Sequence, residues 1–234
     1  MDGKTRKELR KEERERLKGL SFKKKLGYIW DYYKMELGIL LVVLVIIGLS
    51  VQVMKGSGKT TVLSAALINV EKVSGGETLE FSREFSDDLE LDEKKEDISF
   101  DDSYVMNMQS DDIMTTACQT KLIAAIQAET LDVMLMPEDV YQHYLKAGAY
   151  LNLEEVLGKD FLNQYPELVC TGREEGGRED HVYGLKFEEN EKLEALYGKR
   201  TVYFAVASGS KNGEYVKRLA EYLMEGNAAS GDVK

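Results

Sequence analysis

Residue types that often carry catalysis or metal binding are scarce in this 234-residue chain, which has two histidines, two cysteines and one tryptophan. His143 and His181 have no second histidine or cysteine at the spacing of zinc ligands, which argues against a zinc site. The G-x-S-x-G pattern of serine hydrolases and the H-E-x-x-H pattern of zinc peptidases are also absent from the sequence. We therefore predict no catalytic residue, no cofactor and no metal ligand.

Charge is distributed unevenly along the chain. Residues 1–34 contain 12 Lys/Arg and 6 Asp/Glu, a net charge of +6, whereas residues 35–234 contain 19 basic and 36 acidic side chains, a net charge of −17. A nucleic-acid-binding protein would concentrate positive charge on its folded domain, so nucleic acid is not expected as a partner. The acidic tract 87–102 lacks the D-x-D-x-D-G pattern of a calcium loop and is interpreted as a solvated surface.

An uncharged apolar run occupies residues 37–54, with the sequence LGILLVVLVIIGLSVQVM. A helix of this length would cover about 27 Å, close to the thickness of the hydrocarbon core of a bilayer. Tyr28, Trp30, Tyr32 and Tyr33 precede the run, and such amphipathic rings settle at the level of the lipid headgroups. The run is therefore predicted to be a transmembrane helix.

The residues that flank this helix predict its orientation. Lys23, Lys24, Lys25 and Lys34 precede the helix, so the positive-inside rule places residues 1–36 in the cytoplasm and residues 55–234 outside it. The apolar run is longer than that of a usual signal peptide, and no A-x-A-like cleavage site follows Leu49. We therefore predict an uncleaved, single-pass anchor in the cell membrane.

The segment after the apolar run partly matches a phosphate-binding loop. Residues 56–61 read GSGKTT, but the Walker A pattern requires a glycine at position 53, which is Val53. The segment also follows a predicted membrane helix and precedes a strand, whereas a phosphate-binding loop opens a helix. Residues 55–60 are therefore interpreted as a linker, and no nucleotide is expected to bind.

Strand-like and helix-like segments alternate in residues 61–228, and residues 229–234 form a tail. Strands are predicted at 61–70, 132–136, 182–187 and 202–207, with β-type pieces between 98 and 106. Amphipathic helices are predicted at 78–91 and in the segments that follow Ser110, Pro137 and Asn212. This alternation predicts an α/β fold with a mostly parallel sheet flanked by helices.

Several segments resemble extracellular solute-binding proteins of bacterial ABC importers. The sequence KLIAAIQAETLDVM at 121–134 resembles that family's "kl-aaiaagt-pDvi" signature, and AGAYLNL at 147–153 resembles its "G-x-l-x-dL" motif. Tyr183-Gly184-Leu185 is similar to the "Y-G-l-P" strand, although the proline is absent, and residues 202–224 resemble the family's closing strand and helix. The resemblance covers about 61–226 and implies the fold of a periplasmic-binding-protein lobe.

One departure from that family limits what the resemblance implies for function. Family members have two lobes that close on a ligand, but only 18 residues separate Tyr183 from Val202, where the second lobe would be inserted. A single lobe lacks the opposite wall of a closing cleft. The resemblance therefore implies the fold of one truncated lobe more directly than it implies capture of a solute.

Candidate binding residues follow from the predicted parallel sheet. Ligands of open α/β sheets bind beyond the carboxyl ends of the strands. This rule selects six residues as candidates for contact with a ligand or partner, with Tyr183 as a stacking ring: Asn69, Met136, Pro137, Glu138, Tyr183 and Ser208.

The sequence is compatible with two free cysteines or with one disulfide between them. Cys118 lies on the apolar side of a predicted helix, where a buried free thiol is the simpler interpretation, and Cys170 lies in a predicted loop. A disulfide between them would be compatible with the predicted location outside the cytoplasm.

The predicted function is that of a membrane-anchored, non-enzymatic binding or interaction module. Its partner would be a small solute or a membrane protein such as a permease or sensor. Two alternatives are a hydrolase that works through carboxylates and a structural protein of the envelope without a ligand. A pocket at the carboxyl ends of the strands would favour a solute, a flat apolar patch there would favour a protein, and paired buried carboxylates would favour the hydrolase.

Overall fold

The computed structural model describes residues 59–71, 76–92, 94–110 and 112–228, which belong to the compact unit Lys59–Lys234. The predicted cytoplasmic segment 1–36, the predicted transmembrane helix 37–54, most of the linker and the tail 229–234 lie outside the described residues. Among the helices that are described, none combines the length and the apolar character needed to cross a membrane.

Six strands and seven helices form the described part of the chain. The strands are β1 (Thr60–Ile68), β2 (Glu96–Tyr104), β3 (Val133–Met136), β4 (Val169–Gly172), β5 (His181–Phe187) and β6 (Val202–Val206). The helices are α1 (Gly76–Asp88), α2 (Ile113–Gln127), α3 (Glu138–Lys146), α4 (Leu153–Val156), α5 (Lys159–Leu162), α6 (Glu191–Tyr197) and α7 (Gly213–Ala228). The four strands that the sequence predicts at definite bounds are confirmed, and their ends shift by one or two residues.

The strands form one mixed sheet in the order β2-β1-β3-β6-β5-β4. Strand β1 pairs in parallel with β2 and β3, whereas β6 is antiparallel to β3 and β5, and β4 is antiparallel to β5. The α/β class with flanking helices is confirmed, but the expectation of a mostly parallel sheet is wrong. Only the β2-β1-β3 half is parallel.

Strand β6 returns antiparallel to β5 after a short connection. Helix α6 within this connection has seven residues and spans about 10 Å. The chain re-enters the sheet at the end where it left, and Phe187 pairs with Val202.

Helices cover both faces of the sheet. Helices α1, α6 and α7 pack on the first face through large apolar side chains that include Phe81, Phe85 and Leu219. Helices α2 and α3 pack on the second face, where Leu122 and Tyr141 are completely or almost completely buried. The result is a three-layer arrangement of helices, sheet and helices.

Candidate functional site

Parallel pairing brings two groups of the predicted binding residues to one edge of the sheet. Ala66 pairs with Met134, and Leu67 pairs with Leu135, so β1 and β3 end side by side. Asn69 and residues 136–138 therefore lie at the same edge, which we call the carboxyl edge. The opposite end of β1 and β3, where Thr60 begins the first strand, is called the amino edge.

Asn69 tethers the backbone that follows β2. It adopts a left-handed conformation with φ of 59°, which asparagine tolerates better than most residues. Its amide nitrogen donates to the carbonyl oxygen of Met106 at 2.8 Å, and its amide oxygen accepts from the Met106 N–H at 2.7 Å. Because both ends of the amide are occupied, this side chain holds the segment between β2 and α2 in position.

Residues 136–138 contribute only one exposed polar side chain to the carboxyl edge. Met136 is fully buried, and the Tyr150 hydroxyl lies 3.2 Å from its sulfur. Pro137 stands just before α3, and Glu138 is exposed in the first turn of that helix. Burial and the nearby Glu138 carboxylate raise the pKa of Tyr203. Of these three residues, Glu138 is therefore the one whose polar group could contact a ligand.

Tyr183 and Ser208 do not join this group. The Tyr183 ring is buried, and its hydroxyl donates to the Glu174 carboxylate at 2.8 Å; burial and this hydrogen bond raise the pKa of Tyr183 to about 12. Ser208 follows β6 and lies at the amino edge because β6 runs opposite to β3, and its N–H donates to Ala149 O at 2.9 Å. The six candidates therefore do not form one site.

The carboxyl edge instead presents exposed apolar side chains. Five large hydrophobic residues are exposed in the described chain, and four of them belong to the segment 105–123. These four are Val105, Ile113, Met114 and Ile123, with exposed fractions of 51%, 89%, 62% and 45%. The first three lie between the end of β2 and the first turn of α2.

The outer side of α2 extends this apolar region. Thr116, Ala117, Thr120 and Ala124 are exposed and recur at helical spacing with Ile113 and Ile123. The Thr116 hydroxyl donates to Asp112 O at 3.0 Å, and the Thr120 hydroxyl donates to Thr116 O at 2.8 Å. Because both hydroxyl hydrogens are donated to the helix backbone, the threonines offer no hydroxyl donor to a partner. We call residues 105, 113, 114, 116, 117, 120, 123 and 124 the α2 surface.

A hydrogen-bonded cap fixes the start of α2. The Asp112 carboxylate accepts from the Thr115 N–H at 2.8 Å and from the Thr115 hydroxyl at 2.9 Å, and that hydroxyl accepts from the Asn107 N–H at 3.0 Å. The Thr115 N–H contributes most to holding the pKa of Asp112 below its usual value. The cap thereby holds the loop after β2 against the first turn of α2.

The one charged residue of α2 is Lys121, whose side chain is 50% exposed. Lys121 forms an ion pair with Asp101 at 2.5 Å and lies 4.4 Å from the centre of the Tyr104 ring. Cys118 is buried on the same helix, while Cys170 on β4 is partly buried, and both thiols are free. Within the described ranges, no cluster of three or more His, Cys, Asp or Glu residues could hold a metal ion.

Three cavities of the described surface lie away from the α2 surface. One of about 560 Å³ borders α5 and α7, one of about 650 Å³ lies between α1, α6 and α7, and one of about 370 Å³ lies at the amino edge. Sequence reasoning missed the α2 surface because it assigned the helix a single apolar side. The sequence contained a signal, since Ile113, Ala117 and Ala124 are apolar and lie on the side of α2 opposite Cys118 and Leu122, which is typical of a helix covered on more than one side.

Comparison of this chain with protein-family models, with curated proteins and with solved structures gives no match.

Proposed function

We propose that this chain is a non-enzymatic interaction module, anchored in the membrane by residues 37–54, whose domain binds a partner protein through the α2 surface outside the cytoplasm. The observation that carries the proposal is an exposed helix face of small and apolar residues, with Lys121 as its one charged residue, on a strongly acidic domain. Contiguous apolar surface of this kind is typical of interaction sites, whereas single exposed apolar residues are not informative.

A protein suits this surface better than a lipid bilayer does. Helices that lie on membranes usually present lysine and arginine to anionic headgroups. Helix α2 contains only Lys121, and its ammonium group is engaged by Asp101. The net charge of −17 in residues 35–234 would further oppose approach to an anionic surface. The same charge disfavours a second copy of this domain as the partner.

The shape of the α2 surface indicates what the partner should present. Alanine and the methyl groups of threonine allow a second helix to approach closely, and Ile113 and Ile123 supply larger apolar contacts near the two ends of α2. An amphipathic helix with its apolar side facing α2 fits these requirements. A domain anchored in the membrane would meet such a partner most readily in another membrane protein, for example a permease or a sensor.

The other functions gain less support from the described residues. Solute capture at the carboxyl edge depended partly on Asn69, whose amide already bonds both backbone groups of Met106. A hydrolase needs two carboxylates that converge in a protected site, and Asp132 is the single carboxylate buried among the described residues. An envelope protein without a ligand would not require an exposed apolar helix face.

Photocrosslinking in intact cells tests the proposal directly. A photoreactive amino acid is placed at Ile113, at Thr120 or, as a control, at Leu79, which is 59% exposed on α1 and lies outside the α2 surface. We expect the first two positions, but not the third, to form one common adduct with a second protein, and Ala117→Glu to abolish it. Adducts with lipid only, adducts with the same chain only, or equal labelling at all three positions would contradict the proposal.

Protease protection tests the topology on which the proposal depends. Protease added to intact cells, or to spheroplasts where an outer membrane blocks access, should degrade residues 59–228. A tag on the amino terminus should be degraded only after the inner membrane is permeabilised. The reverse pattern would place the α2 surface in the cytoplasm and contradict this part of the proposal.

A further inference from the structure

A polar cavity of about 370 Å³ opens at the amino edge of the sheet, at the opposite end of the strands from the carboxyl edge. Four side-chain hydroxyls line it, from Thr61, Ser64, Ser99 and Thr130. Ser64 and Ser99 are paired across β1 and β2, so their side chains project from the same face of the sheet. The cavity is within the range of small-molecule sites, although it lies at the lower end.

A deeply buried carboxylate forms the inner wall of this cavity. Asp132 is only 4% exposed. One of its oxygens accepts from the Ser64 N–H at 2.9 Å, the other accepts from the Ser210 hydroxyl at 2.7 Å, and the Asn212 amide donates to both at 3.0 and 3.2 Å. These donors are all neutral, and no ion pair of Asp132 with a lysine or arginine is found in the described residues. A buried negative charge held only by neutral donors favours a cation nearby.

The mouth of the cavity already holds an ammonium group of the chain itself. Glu129 lines the cavity, and its carboxylate forms an ion pair with Lys211, whose side chain is 73% exposed. No lysine or arginine is among the described residues that line the cavity wall. The wall therefore combines two carboxylates with four hydroxyls and one amide, and it repels anions.

Close packing of two loops fixes the geometry of this wall. A Cβ atom on Gly209 would lie 2.9 Å from Ile126 O and 3.2 Å from the Glu129 Cα, so only glycine fits between the loop after β6 and the end of α2. The loop after β6 carries Ser210 and Asn212 onto Asp132. The carboxylate and its neighbours are thereby held in place before any ligand arrives.

We propose that this amino-edge cavity binds a small hydroxylated organic amine. Asp132 supplies negative charge for the ammonium group, and the hydroxyls of Thr61, Ser64 and Ser99 exchange hydrogen bonds with the hydroxyls of the ligand. An amino acid suits the cavity poorly because its carboxylate would meet the two acidic side chains. This site lies at the opposite edge from Val105, Ile113 and Met114, and it does not depend on partner binding at the α2 surface.

Calorimetric titration of the purified full-length chain with three matched sugars tests the assignment. Glucosamine carries the ammonium group, glucose lacks it, and N-acetylglucosamine replaces it with a neutral amide. We expect glucosamine to bind roughly ten- to a hundredfold more tightly than the other two, as for one hydrogen-bonded charge. Equal affinities would overturn the role of the charge, and no binding by glucosamine would overturn the proposal for this ligand class.

Two variants locate the binding. Ser99→Leu fills the cavity from an exposed position of the edge strand β2, and Thr171→Leu makes a comparable change at an exposed position of the edge strand β4. We expect Ser99→Leu to abolish glucosamine binding and Thr171→Leu to leave it unchanged, with both far-ultraviolet circular dichroism spectra unaltered. Binding that survives in folded Ser99→Leu would overturn the site, as would equal loss in both variants.

Discussion

Replacing Gly184 with alanine tests the tight packing on the second face of the sheet. A Cβ atom at this position of β5 would lie 2.7 Å from Cε2 and 2.9 Å from the hydroxyl oxygen of Tyr141. Tyr141 cannot easily move away because it is 1% exposed and stacks with Tyr150 and Tyr203, at ring-centre distances of 5.4 and 4.7 Å. The added methyl group must therefore displace a stacked aromatic ring.

The expected loss of stability follows from two opposing contributions. Overpacking of a well-packed core costs about 1–3 kcal/mol. Alanine also reduces the conformational entropy of the unfolded chain relative to glycine, which offsets about 0.4–1 kcal/mol. The free energy of unfolding of Gly184→Ala should therefore fall by roughly 0.5–2.5 kcal/mol, and the melting temperature should fall by a few degrees.

Urea denaturation followed by circular dichroism measures this change, and Gly213→Ala is the matched control. Gly213 begins α7, and a Cβ atom there would have only Val156 Cγ1 nearby, at 3.9 Å. The control should be neutral or stabilising by up to about 1 kcal/mol because alanine favours the helix. If Gly184→Ala is as stable as Gly213→Ala, the argument that the tyrosine stack is rigid is refuted.

Substitutions at three further residues test other contacts. Burial raises the pKa of Tyr144 to about 12, from an ordinary value of 10.0. Above pH 10 the folded state therefore keeps a proton that the unfolded chain loses. The free energy of unfolding should fall as pH rises above 10. Tyr144→Phe should lessen that fall. It should also stabilise the protein by about 1 kcal/mol at neutral pH, because the buried Tyr144 hydroxyl has no partner among the described residues. Unchanged denaturation curves at neutral pH and above pH 10 would contradict this. Asn69→Asp replaces the donor that faces Met106 O with an acceptor, and should cost about 1–3 kcal/mol and increase proteolysis of the segment 105–110. Asp112→Ala removes the cap on the Thr115 N–H and should weaken crosslinking at the start of α2. Asp112→Asn keeps an oxygen acceptor at this position and should retain the crosslinking. Equal crosslinking in both variants would show that the cap does not order the α2 surface.

Continuous apolar runs made the central strands predictable. Residues 132–136 and 202–207 are short, apolar and bounded by polar or helix-starting residues, and both form strands that are buried throughout. The direction of β6 was not predictable in the same way, because it depends on the path that α6 and its flanking residues take between β5 and β6. That helix lies in the segment 158–200, where the sequence has no regular apolar spacing.

The candidate site was less predictable than the fold because it depends on contacts between distant residues. Position after β1 suggested Asn69 as a ligand residue, but its amide bonds to Met106, which is 37 positions away in the chain. On α2, Cys118 on the expected apolar side is buried together with Leu122, whereas Met114 in the first turn is 62% exposed. Helical spacing therefore identified the inner side of α2 but gave no measure of how far the sheet covers it.

The antiparallel strand β6 explains why the two edges of one sheet differ in chemistry. Because β6 runs opposite to β3, the loop after β6 reaches the amino edge, where Ser210 and Asn212 donate to Asp132. A parallel β6 would have carried both donors to the carboxyl edge and left Asp132 with the Ser64 N–H alone. The polar cavity therefore forms at the edge that a purely parallel sheet would leave without a site, and the carboxyl edge keeps the apolar surface of α2.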